Sequence, residues 1–201
     1  PWTEIEGERA HSSSKHPILS DRAVREAISL VVDRASVQKF IYGRTGIATS
    51  NFLNNPKRFV SPNTKFEFNP DKAAQILEAA GWKRGSDGIR EKGGKKLKLV
   101  FQTSINGPRQ KTQQIIKQAA QKAGIDMELK SVPASVYFSS DPANPDTYTK
   151  FFSDIQMFTT TMPQPDPEVF MNQYQSSQFA TKANKWLGRN STRYNNPEYD
   201  K

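Results

Sequence analysis

The chain has 201 residues, no cysteine and a formal net charge of +9 at pH 7. A chain without cysteine has no thiol catalysis, disulfide bond or thiolate metal site, and no apolar run here approaches the roughly 20 residues of a membrane-spanning helix. The basic residues are spread along the sequence and only loosely interleaved with aromatic residues, so a basic nucleic-acid-binding module is kept only as the alternative function.

The sequence begins with a segment that has no sustained apolar period. Residues 1–16 carry spaced acidic residues and then a serine-rich run, and this pattern predicts a connecting arm. A chain of this length buries one substantial core or two small ones. One domain is the preferred expectation, and residues 17–201 are predicted to form one α/β lobe.

The first predicted helices follow the arm. Ser20 or Asp21 can cap a helix, and Asp33 can cap its continuation as far as Gly43. The apolar residues of this helix pair recur at helical spacing, which predicts a buried face. They are Val24, Ala27, Ile28, Val31, Val37, Phe40 and Ile41.

A loop and a further helix come next. The segment from Thr45 to Phe68 has no clear period, and a loop of this length in a compact domain is often functional. Asn69 and Pro70 then start a helix that ends at Gly81.

A strand, a helix and a second strand are predicted between residues 96 and 132. Apolar and polar residues alternate near 97–103 and again near 125–130, which is typical of half-buried strands. Pro108 starts the intervening helix and Gly124 ends it. Such a βαβ unit is almost always right-handed with parallel strands, so we expect the strands to be neighbours or next neighbours in a mixed sheet flanked by helices.

Two loops at strand ends supply candidate ligand-binding residues. Ligands of βαβ units lie beyond the carboxyl ends of the strands, where the segment Thr103 to Gly107 is expected. A second loop follows a strand predicted from Asp154 to Phe158, and Asp166 starts a helix after it. The candidates in the two loops are Thr103, Asn106, Thr159, Thr160, Thr161 and Gln164.

The three consecutive threonines have two interpretations that the sequence leaves open. Threonine suits the exposed end of a strand, and its hydroxyl group is also an adaptable hydrogen-bonding group for a polar ligand.

An aromatic and cationic group lies nearer the end of the chain. The group consists of Trp186, Arg189, Asn190 and Arg193. The first three are candidates, because a tryptophan plate beside an arginine fork suits a carboxylate, a sugar or an opine-like ligand. Trp186 can equally pack in a core. We expect this group and the two loops to converge on one concave face.

The sequence does not have the pattern of a catalytic or metal site. Its two histidines, His11 and His16, lie in the arm and the opening turn, far in sequence from every candidate loop. A Ser-His-acid triad and a zinc site are therefore not expected, and both histidines are expected to be solvated. We predict a protein that is not an enzyme and that has no catalytic residue, no metal and no cofactor.

The last predicted element is incomplete. Asn196, Pro197 and Glu198 are the cap, the proline and the acid of a helix start, but the sequence ends at Lys201. We expect a fragment of a longer protein, in which this last turn frays.

Several motifs, taken in order, resemble one protein family. The run from His16 to Ala27, followed by Val32-Asp33-Arg34, resembles the signature region of the extracellular solute-binding proteins of family 5, the peptide-type receptors of ABC importers. Each motif is common alone, but the ordered set is specific. The further matching motifs are Asn69-Pro70-Asp71-Lys72-Ala73, Ala79-Ala80-Gly81-Trp82, Ala123-Gly124-Ile125, Pro165-Asp166-Pro167 and Asn195-Asn196-Pro197-Glu198-Tyr199-Asp200.

The resemblance implies a two-lobed, type II-like periplasmic receptor that closes on its ligand, with this chain as most of the C-terminal lobe. It implies that a peptide, opine or sugar-like solute is bound in the periplasm and delivered to an ABC permease in the inner membrane. The N-terminal lobe of the same receptor is a second implied partner. In many peptide-binding members an aspartate shortly before the Asp-Pro pair holds the amino terminus of the ligand. Pro163 stands at the corresponding position, a departure that weakens the expectation of a peptide.

Overall fold

A computed structural model of the chain describes residues 4, 5 and 8–201. Residues 1–3, 6 and 7 of the predicted arm lie outside the described residues. Contacts divide the chain into two compact units. The helical unit comprises Ile18–Phe101 and Asn106–Lys130, and the terminal unit comprises Pro1–Pro17, Gln102–Ile105 and Ser131–Lys201. The division into an arm (1–16) and a lobe (17–201) stays a prediction.

The α-helices of the helical unit begin where capping residues predict them. They are α1 (Arg22–Leu30), α2 (Arg34–Val37), α3 (Pro70–Ala79) and α4 (Gly107–Ala123). Each is preceded by a side chain that accepts a hydrogen bond from a backbone N–H of the first turn, and these side chains are Asp21, Asp33, Asn69 and Asn106. The first N–H groups of a helix have no partner within it, so these caps stabilise the helix starts.

The predicted helix from Asp33 to Gly43 is observed as α2 followed by a π-helical turn (Gln38–Tyr42). A 3-10 turn at Gly43–Thr45 leads into the predicted loop from Thr45 to Phe68, and that loop contains a second 3-10 turn at Lys57–Phe59. No helix within residues 4, 5 and 8–201 is both long enough and apolar enough to cross a lipid bilayer.

The core of the helical unit forms where α3 packs against both α1 and α4. Aliphatic residues of the helices and of the following strands are buried there. They include Val24, Ala27, Val31, Ala73, Leu77, Leu97, Leu99, Ile116, Ala119, Ala123, Ile125 and Met127.

The strands form two sheets. A small antiparallel sheet has the order β1 (Lys83–Arg84), β2 (Arg90–Lys92), β3 (Lys95–Lys96). The second sheet has the order β5 (Asp126–Val132), β4 (Lys98–Ser104), β6 (Ile155–Met157).

The parallel pairing of β4 and β5 is confirmed. In the helical unit the Asp126 N–H donates to the Leu97 carbonyl oxygen at 3.0 Å. In the terminal unit the Ile105 N–H donates to the Val132 carbonyl oxygen at 2.8 Å. The starts of the two strands thus pair with each other and so do their ends, and α4 connects them as predicted.

The terminal unit contains short elements. They are α5 (Ala134–Tyr137), β6, α6 (Glu168–Met171) and 3-10 turns at Asn172–Tyr174 and Ser176–Gln178. The predicted helix after Asp166 begins as expected but has four residues. The residues after Asn196 form a single turn, in which the Tyr199 N–H donates to the Asn196 carbonyl oxygen at 2.9 Å.

The expectation that His16 is solvated is wrong. Its side chain is buried in the terminal unit, and its Nε2 lies 2.7 Å from Asp154 Oδ1. A polar ring that leaves water needs such a partner, and this partner is far away in sequence.

Arg90 and Gly124 meet at the C-terminal end of α4. Gly124 has a φ of +86°, and a Cβ at this position would lie 2.7 Å from Arg90 Cγ. The Nε of Arg90 donates to the Ala123 carbonyl oxygen at 2.8 Å. The missing side chain of Gly124 therefore makes room for the arginine that binds the end of the helix.

We expect Gly124→Ala to lower the free energy of unfolding by about 2 kcal/mol or more. A left-handed conformation costs a residue with a Cβ about 1–2 kcal/mol. In addition, the side chain of Arg90 must move to make room for the Cβ. Urea denaturation measures the change. The matched control is Gly107→Ala in the first turn of α4, where a Cβ would meet nothing within 4 Å. Equal losses in the two variants would contradict the close packing of Arg90 on Gly124.

Asp21 connects three parts of the helical unit. One carboxylate oxygen accepts a hydrogen bond from the Ala23 N–H at 3.0 Å. The other accepts from Lys92 Nζ at 2.9 Å and from Trp82 Nε1 at 3.0 Å. The bonds from Lys92 and Trp82 hold the pKa of the Asp21 carboxyl below its ordinary value of 3.8, because they favour the charged form.

We expect Asp21→Asn to lower the free energy of unfolding near neutral pH by about 1 kcal/mol, since asparagine keeps a capping acceptor but loses the charge. Because the folded pKa lies below 3.8, the charge stabilises the fold above that pH, and this stabilisation is lost as pH falls through the folded pKa. Urea denaturation of both proteins from neutral to acid pH measures their free energies of unfolding. The difference between these free energies should shrink toward zero at acid pH. A constant difference would exclude the charge as its cause.

Candidate functional site

The loop after β6 exposes a set of polar side chains. Thr159, Thr160, Thr161 and Gln164 are all exposed. The loop ends at α6, where Asp166 Oδ1 accepts a hydrogen bond from the Glu168 N–H at 2.8 Å. Hydroxyl and amide groups both donate and accept hydrogen bonds, and here they lie at the surface beside a fixed helix start.

Thr103 fixes the strand from which this loop departs. Its side chain is fully buried, and its hydroxyl donates to the Met157 carbonyl oxygen at 2.7 Å. The Tyr137 hydroxyl donates to the same oxygen at 3.3 Å. Met157 is the last residue of β6, so both bonds hold the start of the loop that follows it. We call residues 159–165 of this loop the threonine loop. Direct contact of Thr103 with a solute stays a prediction.

Asn106 belongs to the helical unit and is exposed. Its Oδ1 accepts a hydrogen bond from the Arg109 N–H at 3.2 Å, which caps α4. The convergence of its segment with the loops of the terminal unit stays a prediction.

Trp186 packs within the terminal unit. Its side chain is buried, with 7% of the residue exposed, and its φ is +63°. Its backbone N–H donates to the Thr181 carbonyl oxygen at 2.8 Å. Its ring meets Phe152 nearly edge-on, with 6.4 Å between the ring centroids. Lys150 Nζ and Arg193 Cζ lie 5.8 and 5.5 Å from the indole centroid. The sequence permits two roles for Trp186, ligand binding and core packing. Contacts within the protein cover nearly all of its surface, as core packing requires.

Arg193 is a half-buried cation that joins several loop segments. Its Nε donates to the Ala180 carbonyl oxygen at 3.1 Å, and its Nη2 donates to that of Thr149 at 3.0 Å. Its Nη1 donates to the carbonyl oxygens of Lys150 at 3.1 Å and Ser191 at 2.5 Å. Burial lowers the pKa of Arg193 to about 10, because a low-dielectric surrounding disfavours the charged form. The guanidinium therefore stays protonated at neutral pH and acts as a structural donor.

Asn190 is fully buried and uses all of its hydrogen-bonding capacity within the terminal unit. Its Nδ2 donates to the carbonyl oxygens of Gln175 at 3.0 Å and Tyr194 at 2.9 Å. Its Oδ1 accepts from the Thr192 hydroxyl at 3.0 Å and from the Tyr194 N–H at 3.1 Å. Two donors and two acceptor positions are the full capacity of an amide. The structure gives Asn190 a structural role, and contact with a solute stays a prediction.

The two residues before Asn190 have different surroundings. A Cβ on Gly188 would lie 2.2 Å from the Phe179 carbonyl oxygen, so only glycine permits this close approach of two backbone segments. Arg189 is exposed, and its Nη1 donates to the Val169 carbonyl oxygen at 2.8 Å. Arg189 thus lies at the surface next to a buried framework.

A cavity of about 500 Å³ lies beside Trp186 in the terminal unit. Glu8 and Lys182 line it and form an ion pair at 3.1 Å, and His11 and Thr181 add polar groups. Its volume is within the range of small-molecule pockets. Sequence reasoning missed Glu8 and His11, because the arm has no period and contacts between distant segments leave no local pattern.

Comparison with protein families gives one match that covers most of the chain. Residues 9–182 match the family model described as "Bacterial extracellular solute-binding proteins, family 5 Middle". The matched residues include the threonine loop, β4, α4, β5 and most of both units.

Curated proteins with related sequences are oligopeptide-binding proteins by name. The chain is 32% identical over 127 residues to the oligopeptide-binding protein AppA of Bacillus subtilis, and the match covers 60% of this chain and 23% of AppA. It is 39% identical over 120 residues to the oligopeptide-binding protein OppA of Lactococcus lactis, with coverage of 55% and 19%. The matches thus span less than a quarter of the length of either relative.

Solved structures show a similar fold. The structure of AppA from Bacillus subtilis in complex with a nonapeptide has a TM-score of 0.71 and 27% identity, and the match covers 92% of this chain and 35% of AppA. The structure of NikZ from Campylobacter jejuni in complex with Ni(L-His) has a TM-score of 0.72 and 25% identity, with the same coverage.

We expect Asn190→Ala to lower the free energy of unfolding by about 3 kcal/mol, because it removes four hydrogen bonds made by a fully buried amide. The neighbouring Arg189→Ala should cost less than about 1 kcal/mol, as is usual for an exposed side chain. Urea denaturation followed by near-UV circular dichroism measures both. A fully stable Asn190→Ala protein would rule out the structural role assigned to this amide.

Proposed function

Since the chain belongs to the bacterial extracellular solute-binding proteins of family 5, we propose that it forms part of the solute-binding component of an ABC importer. The protein binds a small polar solute in the periplasm and delivers it to a permease in the inner membrane. The match of residues 9–182 to the family model carries this proposal.

A peptide is the ligand that the relatives favour. AppA and OppA are named oligopeptide-binding proteins, and the AppA structure holds a nonapeptide. NikZ holds Ni(L-His), which is a complex of an amino acid. We therefore propose a peptide or a related amino-acid-derived solute.

The threonine loop is the proposed contact surface of the terminal unit. Residues 159–165 contain hydroxyl and amide groups but no charged side chain, and Pro163 is among them. Uncharged donors and acceptors suit the main-chain amides of an extended peptide, whose charged ends then need partners elsewhere. Thr159, Thr160, Thr161 and Gln164 are the proposed ligand contacts, and Arg189 is a candidate for an anionic group.

The proposed activity is binding without bond chemistry. The exposed groups of the loop are hydroxyls and an amide, which bind and orient a solute. The named relatives are binding proteins and not enzymes. Family membership also favours a solute receptor over the nucleic-acid-binding module that the net charge alone suggests.

We expect the chain to fold but to bind its solute weakly, because a pocket buries 70–90% of a small ligand and the second lobe of the proposed receptor would supply the opposite wall. Losing half of the roughly −8 kcal/mol of a micromolar complex gives a millimolar dissociation constant. Titration of the ¹⁵N-labelled chain with a nonapeptide, followed by NMR, detects binding of this strength. The same peptide should bind a longer protein containing both lobes with micromolar affinity.

The controls separate the site from the function. A triple variant should bind the peptide about tenfold more weakly or worse, and it combines Thr159→Ala, Thr160→Ala and Thr161→Ala. The control variant Thr64→Ala, also at an exposed threonine, should bind the peptide as the unchanged protein does. Equal micromolar affinities of the chain and the longer protein would contradict the two-lobe proposal. Salt-sensitive binding of unrelated DNA by the longer protein, without binding of peptide or nickel-histidine, would favour the nucleic-acid alternative instead.

A further inference from the structure

Large apolar side chains are exposed together on one segment of the helical unit. Six of them lie between residues 39 and 68, namely Phe40, Tyr42, Ile47, Phe52, Phe66 and Phe68. Ile47 is 87% exposed and Phe40 68%, and the other four are 40–50% exposed. Single exposed apolar residues need no explanation, but a concentration of them indicates an interaction surface.

The same segment is strongly basic. Its exposed cations are Lys39, Arg44, Lys57, Arg58 and Lys65. Its single carboxylate, Glu67, is bound by Lys72 Nζ at 2.6 Å and by Asn69 Nδ2 at 2.8 Å. Five cations against one carboxylate leave a net charge of +4 on residues 39–68. We refer to these eleven exposed apolar and cationic side chains as the basic apolar surface.

Side-chain hydrogen bonds hold the backbone of this segment. Asn51 Nδ2 donates to the Ser61 carbonyl oxygen at 3.2 Å, and the Ser61 N–H donates to Asn51 Oδ1 at 2.9 Å. The Phe66 N–H donates to the Ser50 hydroxyl oxygen at 3.0 Å. The surface is therefore preformed, which lowers the entropic cost of using it in binding.

A neighbouring arginine further orders the aromatic part. Arg34 Cζ lies 4.2 Å from the centroid of the Phe66 ring. Lys39 and Arg58 lie over the rings of Phe40 and Phe59, at 5.1 and 4.8 Å from their centroids. In these three pairs a cation thus lies directly beside an aromatic ring.

We propose that the basic apolar surface binds the headgroup region of an anionic phospholipid membrane. Aromatic and aliphatic side chains enter the boundary between headgroups and acyl chains, while lysine and arginine remain at the phosphates. The charge complements anionic lipid, and each cation near such a surface adds to the attraction. Ile47 and Phe40 are the most exposed of the six apolar side chains, and a fluid interface accommodates such side chains without a matching recess in a rigid partner.

Vesicle binding tests the proposal. The 201-residue chain is mixed at low ionic strength with vesicles of phosphatidylcholine alone or with about 30% phosphatidylglycerol, and the bound fraction is measured by sedimentation. We expect binding to the anionic vesicles only, with weakening as salt is added. Lys57→Gln combined with Arg58→Gln should reduce the partition coefficient about 25-fold, or about fivefold for each cation. Phe40→Ser and Ile47→Ser should each reduce it about tenfold.

Matched variants elsewhere serve as controls. Lys95→Gln and Lys111→Gln change the same charge at exposed positions of the helical unit, and Leu187→Ser changes an apolar residue that is 65% exposed in the terminal unit. These variants should bind vesicles as the unchanged chain does, and thermal unfolding confirms that every variant is folded. No sedimentation with anionic vesicles, or equal losses in test and control variants, would overturn the proposal. Binding to soluble polyglutamate without vesicle binding would overturn it in favour of an acidic protein partner.

Discussion

The buried guanidinium of Arg90 connects the ends of the two longest helices of the helical unit. Its Nε donates to the Ala123 carbonyl oxygen at the end of α4, and its Nη1 donates to Glu78 of α3 at 2.5 Å and to the Trp82 carbonyl oxygen at 2.6 Å. Carbonyl groups at a helix end have no partner within the helix and carry partial negative charge. One cation therefore satisfies groups that would otherwise be left unpaired, and Gly124 is required because it leaves space for that cation.

In the terminal unit, too, cationic side chains donate to backbone carbonyl groups, in a region with little regular structure. Arg193 donates to four carbonyl oxygens, and the buried Lys150 donates to the Pro142 carbonyl oxygen at 2.5 Å. Long loops contain many backbone carbonyl groups that no helix or sheet satisfies, so a cationic multiple donor replaces that pairing. Part of the formal charge of +9 is thus structural and not available to a partner, which is why net charge alone was a poor guide to function.

Local patterns predicted the elements whose causes are local. Asn106, Pro108 and Gly124 define α4 through capping and backbone conformation, and strand alternation predicted the parallel pair that it connects. The terminal unit was less predictable. Its helix after Asp166 has four residues, and His16 is buried because Asp154, 138 positions away, provides its partner. Contacts over such distances decide burial, and composition or periodicity within a short window does not contain them.

In the candidate site, too, residue type is visible in the sequence, whereas burial depends on contacts between distant segments. The side chains of Trp186 and Asn190 suit a ligand, but the same properties suit a structural role, and both side chains are buried in the terminal unit. A group that already uses every donor and acceptor within the protein must break those bonds before it binds a solute. This cost supports the proposal that solute contact in the terminal unit is made by the exposed, uncharged loop after Met157. Because Thr103 and Tyr137 hold the carbonyl group of Met157, these buried residues determine where that loop starts.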